Sequence, residues 1–341
     1  MKKSFSTTSV LTRLGFWLFI AVVAAITATV MFSDSGRVIK LLSEIDPVWL
    51  PLIFSSVIFN YLLRFIKWNY FLGIVGAKVP LKDNLWVFFS AFTMVLSPGK
   101  IGELVKSFLL RGRFDIPVAQ TAPVVMAERL TDLLGLMTLC LIGFSQFAFG
   151  GRTILVVAIL LGLIIVSITR PWIWHQLEAV ATKFPKLSKL KHPIKIIQNS
   201  LRDLFSFKSL LFTTILSAIS WAGEGIALYL IFRALQVEIP MLLMVSIFAH
   251  AFSSIIGALS FLPGGLLVTE GTLGMFFVFV KIADAQAVSA TFLIRAVTLW
   301  FAVILGTTIF LLGHNREDLA ALQLIGNNKV NNDEALNEAK V

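Results

Sequence analysis

The sequence predicts an all-α, polytopic transmembrane helical bundle. Hydrophobic residues fill 57% of its 341 positions and charged residues only 14%, whereas soluble domains carry roughly a quarter charged residues. Several apolar runs approach or exceed the about 17 to 25 residues that a helix needs to cross a membrane. Few of them alternate with a period of two, which argues against a barrel. The runs lie near 14–32, 48–63, 124–149, 153–169, 209–232, 241–262 and 287–312.

The first run follows the basic segment MKKSFSTTSVLTR. It is longer than the apolar region of a signal peptide, and the SDSGR that follows lacks a clear cleavage site. We therefore predict a retained first helix. The resulting organisation is an N-terminal cytoplasmic segment at 1–13, a transmembrane domain at 14–313 with a basic cytoplasmic loop at 170–208, and a polar cytoplasmic tail at 314–341.

Lysine and arginine positions predict the orientation, because loops rich in these residues stay on the cytoplasmic side. With the N-terminus inside, the inner segments hold 22 of them and the outer segments five. This asymmetry requires 85–119 to enter and leave on the inner side, and 241–283 to enter and leave on the outer side. We expect a bacterial-type inner (plasma) membrane protein with both termini in the cytoplasm.

The first of these segments contains LWVFFSAFTMVL, followed by SPGKIGE. Twelve residues of helix span roughly 18 Å, which is only part of the hydrocarbon core. Proline and glycine then permit a sharp turn. We predict half of a re-entrant hairpin with structural turn residues Pro98, Gly99 and Gly102.

The second segment contains FLPGGLLVTEG, in which Pro263, Gly264 and Gly265 form the predicted turn and Glu270 follows. Two opposed broken hairpins with the same chemistry indicate an inverted repeat, an arrangement typical of transporters that bind substrate between the broken elements. The alternative is that both are ordinary loops at shallow depth.

Charged residues within the apolar runs are candidate substrate ligands, because an unpaired charge is costly inside a membrane. In MAERLTDLLGL, Glu128 and Asp132 share a helix face, and Arg129 is spaced to pair with Asp132. This cluster suits a polar cavity for an anionic or zwitterionic head group, or else a structural group of salt bridges near the inner interface. The candidate substrate-binding residues are Glu103, Glu128, Arg129, Asp132, Glu270 and Arg295.

Three of these have further assigned roles. Glu103 and Glu270 are expected to face a central cavity, and Arg295 is predicted to be the counter-ion of Glu270 or a phosphate ligand. Outside this set, Glu224 suits a helix-packing hydrogen bond at least as well as a substrate role, and His250 is predicted to be a hydrogen-bonded core histidine.

Enzymatic signatures are missing from the sequence. It has no HExxH, no GxSxG, no P-loop and no clustered Cys/His spacing, and its single cysteine, Cys140, reads as an apolar packing residue. We therefore assign no catalytic residue, metal or cofactor. A membrane glycosyltransferase or its accessory subunit stays open as an alternative, with Glu103, Glu128 and Asp132 as its acidic groups.

The partners follow from the distribution of a net charge of +10. That charge obeys the inside rule rather than covering a domain surface, so nucleic-acid binding is not expected. The basic stretch at 183–208 is predicted to lie along the anionic inner leaflet, or else only to orient the protein. A membrane lipid is the expected substrate; a lipid-synthesis enzyme and a second copy of the chain stay open as partners.

Three motifs in order, SPGKIGE, AERLTDLLG and FLPGGLLVTEG, resemble the lysylphosphatidylglycerol synthase transmembrane (flippase-like) family over about residues 10–313. The resemblance implies a translocase for an anionic phospholipid or a polyprenyl-phosphate-linked lipid. Fused members of that family also make aminoacylated phosphatidylglycerol with a cytosolic domain. Only a short polar tail follows Leu312, so the resemblance carries no synthase activity here.

Overall fold

The computed structural model describes residues 35–97, 102–144, 151–170, 174, 176 and 191–314, and every regular element in these ranges is helical. The all-α class is therefore confirmed. The predicted first helix at 14–32, the turn residues Pro98 and Gly99, much of the basic loop, and 315–341 lie outside the described residues.

Where the connections are described, the helices follow one another through short segments. A π-helix, Ala296–Trp300, joins the last two of them, and short 3₁₀ turns occupy Ala91–Met94 and Pro263–Gly265. The α-helices are α1 Ser35–Ser43, α2 Trp49–Ile74, α3 Leu81–Ser90, α4 Val105–Phe114, α5 Val118–Phe144, α6 Gly151–Thr169, α7 Lys191–Leu204, α8 Phe207–Ala234, α9 Leu242–Leu259, α10 Val268–Phe279, α11 Asp284–Arg295 and α12 Phe301–Gly313.

Among the residues described, four helical stretches are long and apolar enough to cross a membrane. They are α2, α8, α9 and the continuous stretch Asp284–Gly313. Large apolar side chains on their outer faces are exposed. A surface in contact with lipid tails must be apolar, because a polar group there would find no hydrogen-bond partner. Exposed examples are Leu62 and Ile66 on α2, and Leu211, Ile215 and Ile219 on α8.

Helix α8 lies at the centre of the bundle and packs against α2, α5 and α9. Small residues on its surface let the neighbouring backbones approach closely, as is common between membrane helices. Ser220 accepts a hydrogen bond from Asn60 Nδ2 at 3.0 Å, and Ser56 donates one to the Gly223 carbonyl at 2.7 Å. These buried bonds fix the position of α2 against α8.

Leu96, just before the first proline-glycine segment, lies against the second one. Gly264 has a φ of +60°, and a Cβ atom placed on it would lie 2.7 Å from Leu96 Cδ2. A larger residue at position 264 would therefore have a strained backbone, and its Cβ would collide with the Leu96 side chain. Leu96 lies two residues before Pro98, so the helical stretch that leads into the first predicted turn meets the second interruption at this contact.

The structure corrects the predicted end of the second apolar run. Helix α2 continues to Ile74 rather than ending near residue 63, so Arg64 and Lys67 lie within it and are buried. Lys106 on α4 is buried as well. These three residues were counted as cytoplasmic loop charges. They lie inside the helical bundle instead, because acidic and aromatic groups from other helices surround them.

Helix α7 covers part of the basic stretch at 183–208. Its apolar residues Leu201 and Leu204 are buried against the bundle, which it contacts mainly through α5, whereas Lys195 and Arg202 are exposed. The helix is amphipathic, with its apolar face on protein and its basic side chains directed outward.

A buried charge cluster as the candidate functional site

Helix α5 provides the acidic core of the candidate site. Glu128 and Asp132 are four residues apart, so they lie on the same face of the helix, and both side chains are buried. Taking a carboxylate out of water costs several kcal/mol even after relaxation of the protein, so each of them needs a cation close by.

Asp132 receives its cation from α2. Lys67 Nζ forms an ion pair and hydrogen bond with Asp132 Oδ1, and it also donates to Ser217 Oγ at 2.7 Å. Ser217, on α8, donates in turn to Asp132 Oδ1 at 3.2 Å. One ammonium group therefore connects α2, α5 and α8.

Glu128 receives its cation from α4. Lys106 Nζ pairs with Glu128 Oε2, and the ammonium lies 4.2 Å from the centre of the Trp68 ring. The aromatic face attracts the cation electrostatically, and both side chains of the ion pair are shielded from water. The short helix after the first interruption is thus fixed to α5.

Arg129 bridges two carboxylates. Its Nη2 lies 3.1 Å from Glu103 Oε2 and 3.1 Å from Asp132 Oδ2. The predicted pairing of Arg129 with Asp132 is confirmed, and Glu103 joins the same group. The Arg129 side chain is 21% exposed, which makes it the most accessible member of these ion pairs.

Arg64 adds a fourth cation beside the cluster. It precedes Lys67 by one helical turn and interacts electrostatically with Asp132. Its guanidinium carbon lies 5.6 Å from the centre of the Trp221 ring and 5.7 Å from that of Phe92. We call Arg64, Lys67, Glu103, Lys106, Glu128, Arg129 and Asp132 the charge cluster. Within the described part of the chain it holds four cations and three carboxylates.

Glu224 and His250 form a separate buried pair. His250 Nε2 lies 2.9 Å from Glu224 Oε2, and both side chains are buried. The predictions that His250 is a hydrogen-bonded core histidine and that Glu224 makes a hydrogen bond between helices are confirmed by this contact between α8 and α9.

Arg295 and Glu270 form the second ion pair predicted from the sequence. Arg295 Nε donates to Glu270 Oε1 at 2.6 Å, and Arg295 Nη2 donates to the Gly264 carbonyl at 2.7 Å. Arg295 is therefore the counter-ion of Glu270, one of the two predicted roles. It also satisfies a carbonyl that the broken helical segment leaves without a helical partner.

The structure groups the predicted residues differently from the expectation of one shared cavity. Glu103 pairs with Arg129, and Glu270 pairs with Arg295. Among the predicted turn residues, Gly102 donates its backbone N–H to Ser97 Oγ at 2.7 Å. Sequence reasoning missed Arg64, Lys67 and Lys106 as members of the cluster. The apolar residues that flank Arg64 and Lys67 on both sides were the available signal.

This architecture agrees with a comparison against known protein families. The family model described as the lysylphosphatidylglycerol synthase TM region matches residues 16–306. The chain belongs to this family. Members of the lysylphosphatidylglycerol synthase TM region are membrane proteins, and the apolar helices described above make this member a multi-pass membrane protein.

Two curated membrane proteins are similar to this family member over most of its length. A UPF0104 membrane protein of Pyrococcus horikoshii is 25% identical over 324 residues, which cover 87% of this chain and 96% of that protein. A UPF0104 membrane protein of Methanothermobacter thermautotrophicus is 25% identical over 322 residues, which cover 86% of this chain and 93% of that protein. The similarity therefore spans the helices that carry the charge cluster.

Proposed function

We propose that this member of the lysylphosphatidylglycerol synthase TM region family is a translocase, of the flippase type, for an anionic phospholipid or a polyprenyl-phosphate-linked lipid. The observation that carries the proposal is the charge cluster between α2, α4, α5 and α8. Ionisable groups are expensive within a membrane, and where they occur they commonly mark the path of a polar substrate.

The composition of the cluster favours an anionic head group. Two lysines neutralise Asp132 and Glu128, and Arg129 is shared by Glu103 and Asp132. Arg64 is then in excess, so the described part of the cluster carries one net positive charge. A phosphate would balance that charge, and arginine is the side chain best suited to bind it through two parallel hydrogen bonds.

The broken segments supply the element that would move. Helices α3 and α4 have 10 residues each and α10 has 12, so at about 1.5 Å per residue none of them crosses a core of roughly 30 Å. We propose that 85–119 and 241–283 are re-entrant from opposite sides and form an inverted repeat, in which the second segment pairs α9, a helix long enough to cross, with the short α10. Their contact at Leu96 and Gly264 supports this arrangement, because substrate sites in such folds lie between the broken elements.

The proposed orientation places both termini in the cytoplasm of a bacterial-type inner membrane. The exposed Lys195 and Arg202 of α7 would then face the anionic inner leaflet, where each basic side chain near the surface contributes about 1 kcal/mol. Head groups of that leaflet are the substrates nearest to the cluster in this orientation.

Leaflet-resolved lipidomics of cells with and without the protein tests the translocase against a lipid-modifying enzyme. A translocase predicts that one anionic lipid accumulates in the inner leaflet when the protein is removed, while its total amount is little changed. Complete loss of a modified lipid, with accumulation of its unmodified precursor in both leaflets, would favour the enzyme and contradict the translocase.

A further inference from the structure

Arg64 differs from the other cations of the cluster in what surrounds it. Among the described residues its guanidinium makes no ion pair and no hydrogen bond, whereas the other three cations each pair with a carboxylate. Its Nε, like that of Arg129, is a buried donor without an acceptor. The whole residue is only 8% exposed. A buried donor without a partner costs free energy, so a site of this kind is stable only when something else supplies the acceptor.

The neighbouring groups do not fill that role. Trp221 and Phe92 present rings to Arg64, and a ring attracts a cation but offers no lone pair to the N–H groups. Asp132 is held by Lys67 and Arg129. Glu224, one helical turn from Trp221 on α8, is held by His250.

We infer that Arg64 is the residue that binds the phosphate of the anionic lipid head group. The two aromatic side chains fix the guanidinium, and its free N–H groups are available to two phosphate oxygens. This inference rests on the proposed function and deepens it: it assigns the head-group contact to Arg64 rather than to Arg295, whose Nε and Nη2 are used by Glu270 and Gly264.

The inference predicts an unusual pair of effects on one side chain. In ligand-free protein, Arg64→Gln removes a buried charge that forms no ion pair with a described carboxylate, so the unfolding temperature in detergent stays the same or rises. Binding of an anionic phospholipid, however, weakens at least tenfold, which is the loss expected when a charge-assisted hydrogen bond disappears. A purely structural arginine would lower the unfolding temperature and leave binding unchanged.

The experiment measures thermal unfolding of the purified full chain against increasing phosphatidylglycerol, phosphatidylcholine or inorganic phosphate. Phosphatidylglycerol should stabilise wild type and the control Arg233→Gln, at an exposed position in the last turn of α8, at the same concentrations, and Arg64→Gln only at concentrations at least tenfold higher. Equal stabilisation of Arg64→Gln would overturn the inference. Stabilisation of wild type by inorganic phosphate at matching concentrations would overturn the assignment to a lipid head group.

A second variant keeps the test decisive if Arg64→Gln does not fold. Arg64→Lys keeps the charge but cannot bind two oxygens in a plane, so about tenfold weaker binding is expected, and wild-type affinity would contradict the inference. Binding is measured here without transport. If the protein binds phosphatidylglycerol through Arg64 but moves no lipid, the translocase proposal is refuted and the binding-site proposal stands.

Discussion

Lys67 on α2 pairs with Asp132 on α5, 65 positions later in the chain, and both side chains are buried. This contact places a complete ion pair among helices that are apolar enough to cross a membrane. An ion pair in such surroundings is costly to form and still more costly to break halfway, because removing one partner leaves the other charge buried.

The pair of Lys106 and Glu128 offers the simplest test of that principle. Lys106→Met or Glu128→Met should each destabilise the protein by about 3 to 5 kcal/mol, whereas the double variant should lose much less than the sum. Thermal or denaturant unfolding in detergent measures these values. Strictly additive losses would mean that the two side chains do not depend on each other.

Arg129 and Asp132 should also be coupled, but less strongly. Arg129→Ala leaves Glu103 and Asp132 with less compensation, and Asp132→Ala leaves Lys67 unpaired. The double variant still contains Lys67 without its carboxylate and Glu103 without Arg129, so its recovery relative to the sum is smaller than for Lys106 and Glu128. A recovery as large as that of the other pair would contradict the bridging role of Arg129.

The sequence predicted those members of the charge cluster that lie close together in the chain. Glu128, Arg129 and Asp132 lie within five positions of one helix, so the helical period alone brings Arg129 and Asp132 together. Lys67 and Lys106 come from other helices. Their pairing is set by helix packing, and no periodic pattern within one segment reveals it.

The fold was likewise predicted where it depends on features within one segment, and was missed where it depends on contacts between helices. Apolar runs predicted the helical class and most of the long helices, because length and composition determine whether a segment can cross a membrane. The predicted end of α2 was wrong, because Arg64 and Lys67 resemble the basic residues that normally follow a membrane helix. Only the carboxylate and aromatic groups on α5 and α8 explain why the helix continues past them.

The contact between the two broken segments predicts that Gly264 tolerates no side chain. Gly264→Ala should cost about 1 to 3 kcal/mol, because alanine is strained at positive φ and its Cβ would meet Leu96. Gly274→Ala is the matched control, since a Cβ there would have nothing within 4 Å. Unfolding temperatures compare the two variants, and equal effects would mean that the segments do not touch.

The proposed re-entrant segments make a topological prediction. Accessibility reporters placed at Gly76 and Ile116 should both read cytoplasmic, and reporters at Val237 and Asp284 should both read external, because each pair flanks a segment that returns to its side of origin. If Gly76 and Ile116 report opposite sides of the membrane, the inverted repeat is wrong.

The central claim is tested most directly by lipid translocation in proteoliposomes made with purified protein. Fluorescent phosphatidylglycerol should cross from one leaflet to the other faster than in empty vesicles, and faster than phosphatidylcholine. Glu103→Gln and Glu270→Gln should slow the crossing while inserting and purifying at near-normal yield, because they remove charge but keep hydrogen-bonding capacity. The account would be contradicted if wild-type vesicles moved phosphatidylglycerol no faster than empty vesicles. For that result to count, polyprenyl-phosphate-linked lipids must be equally immobile and the phosphate-binding site must be intact.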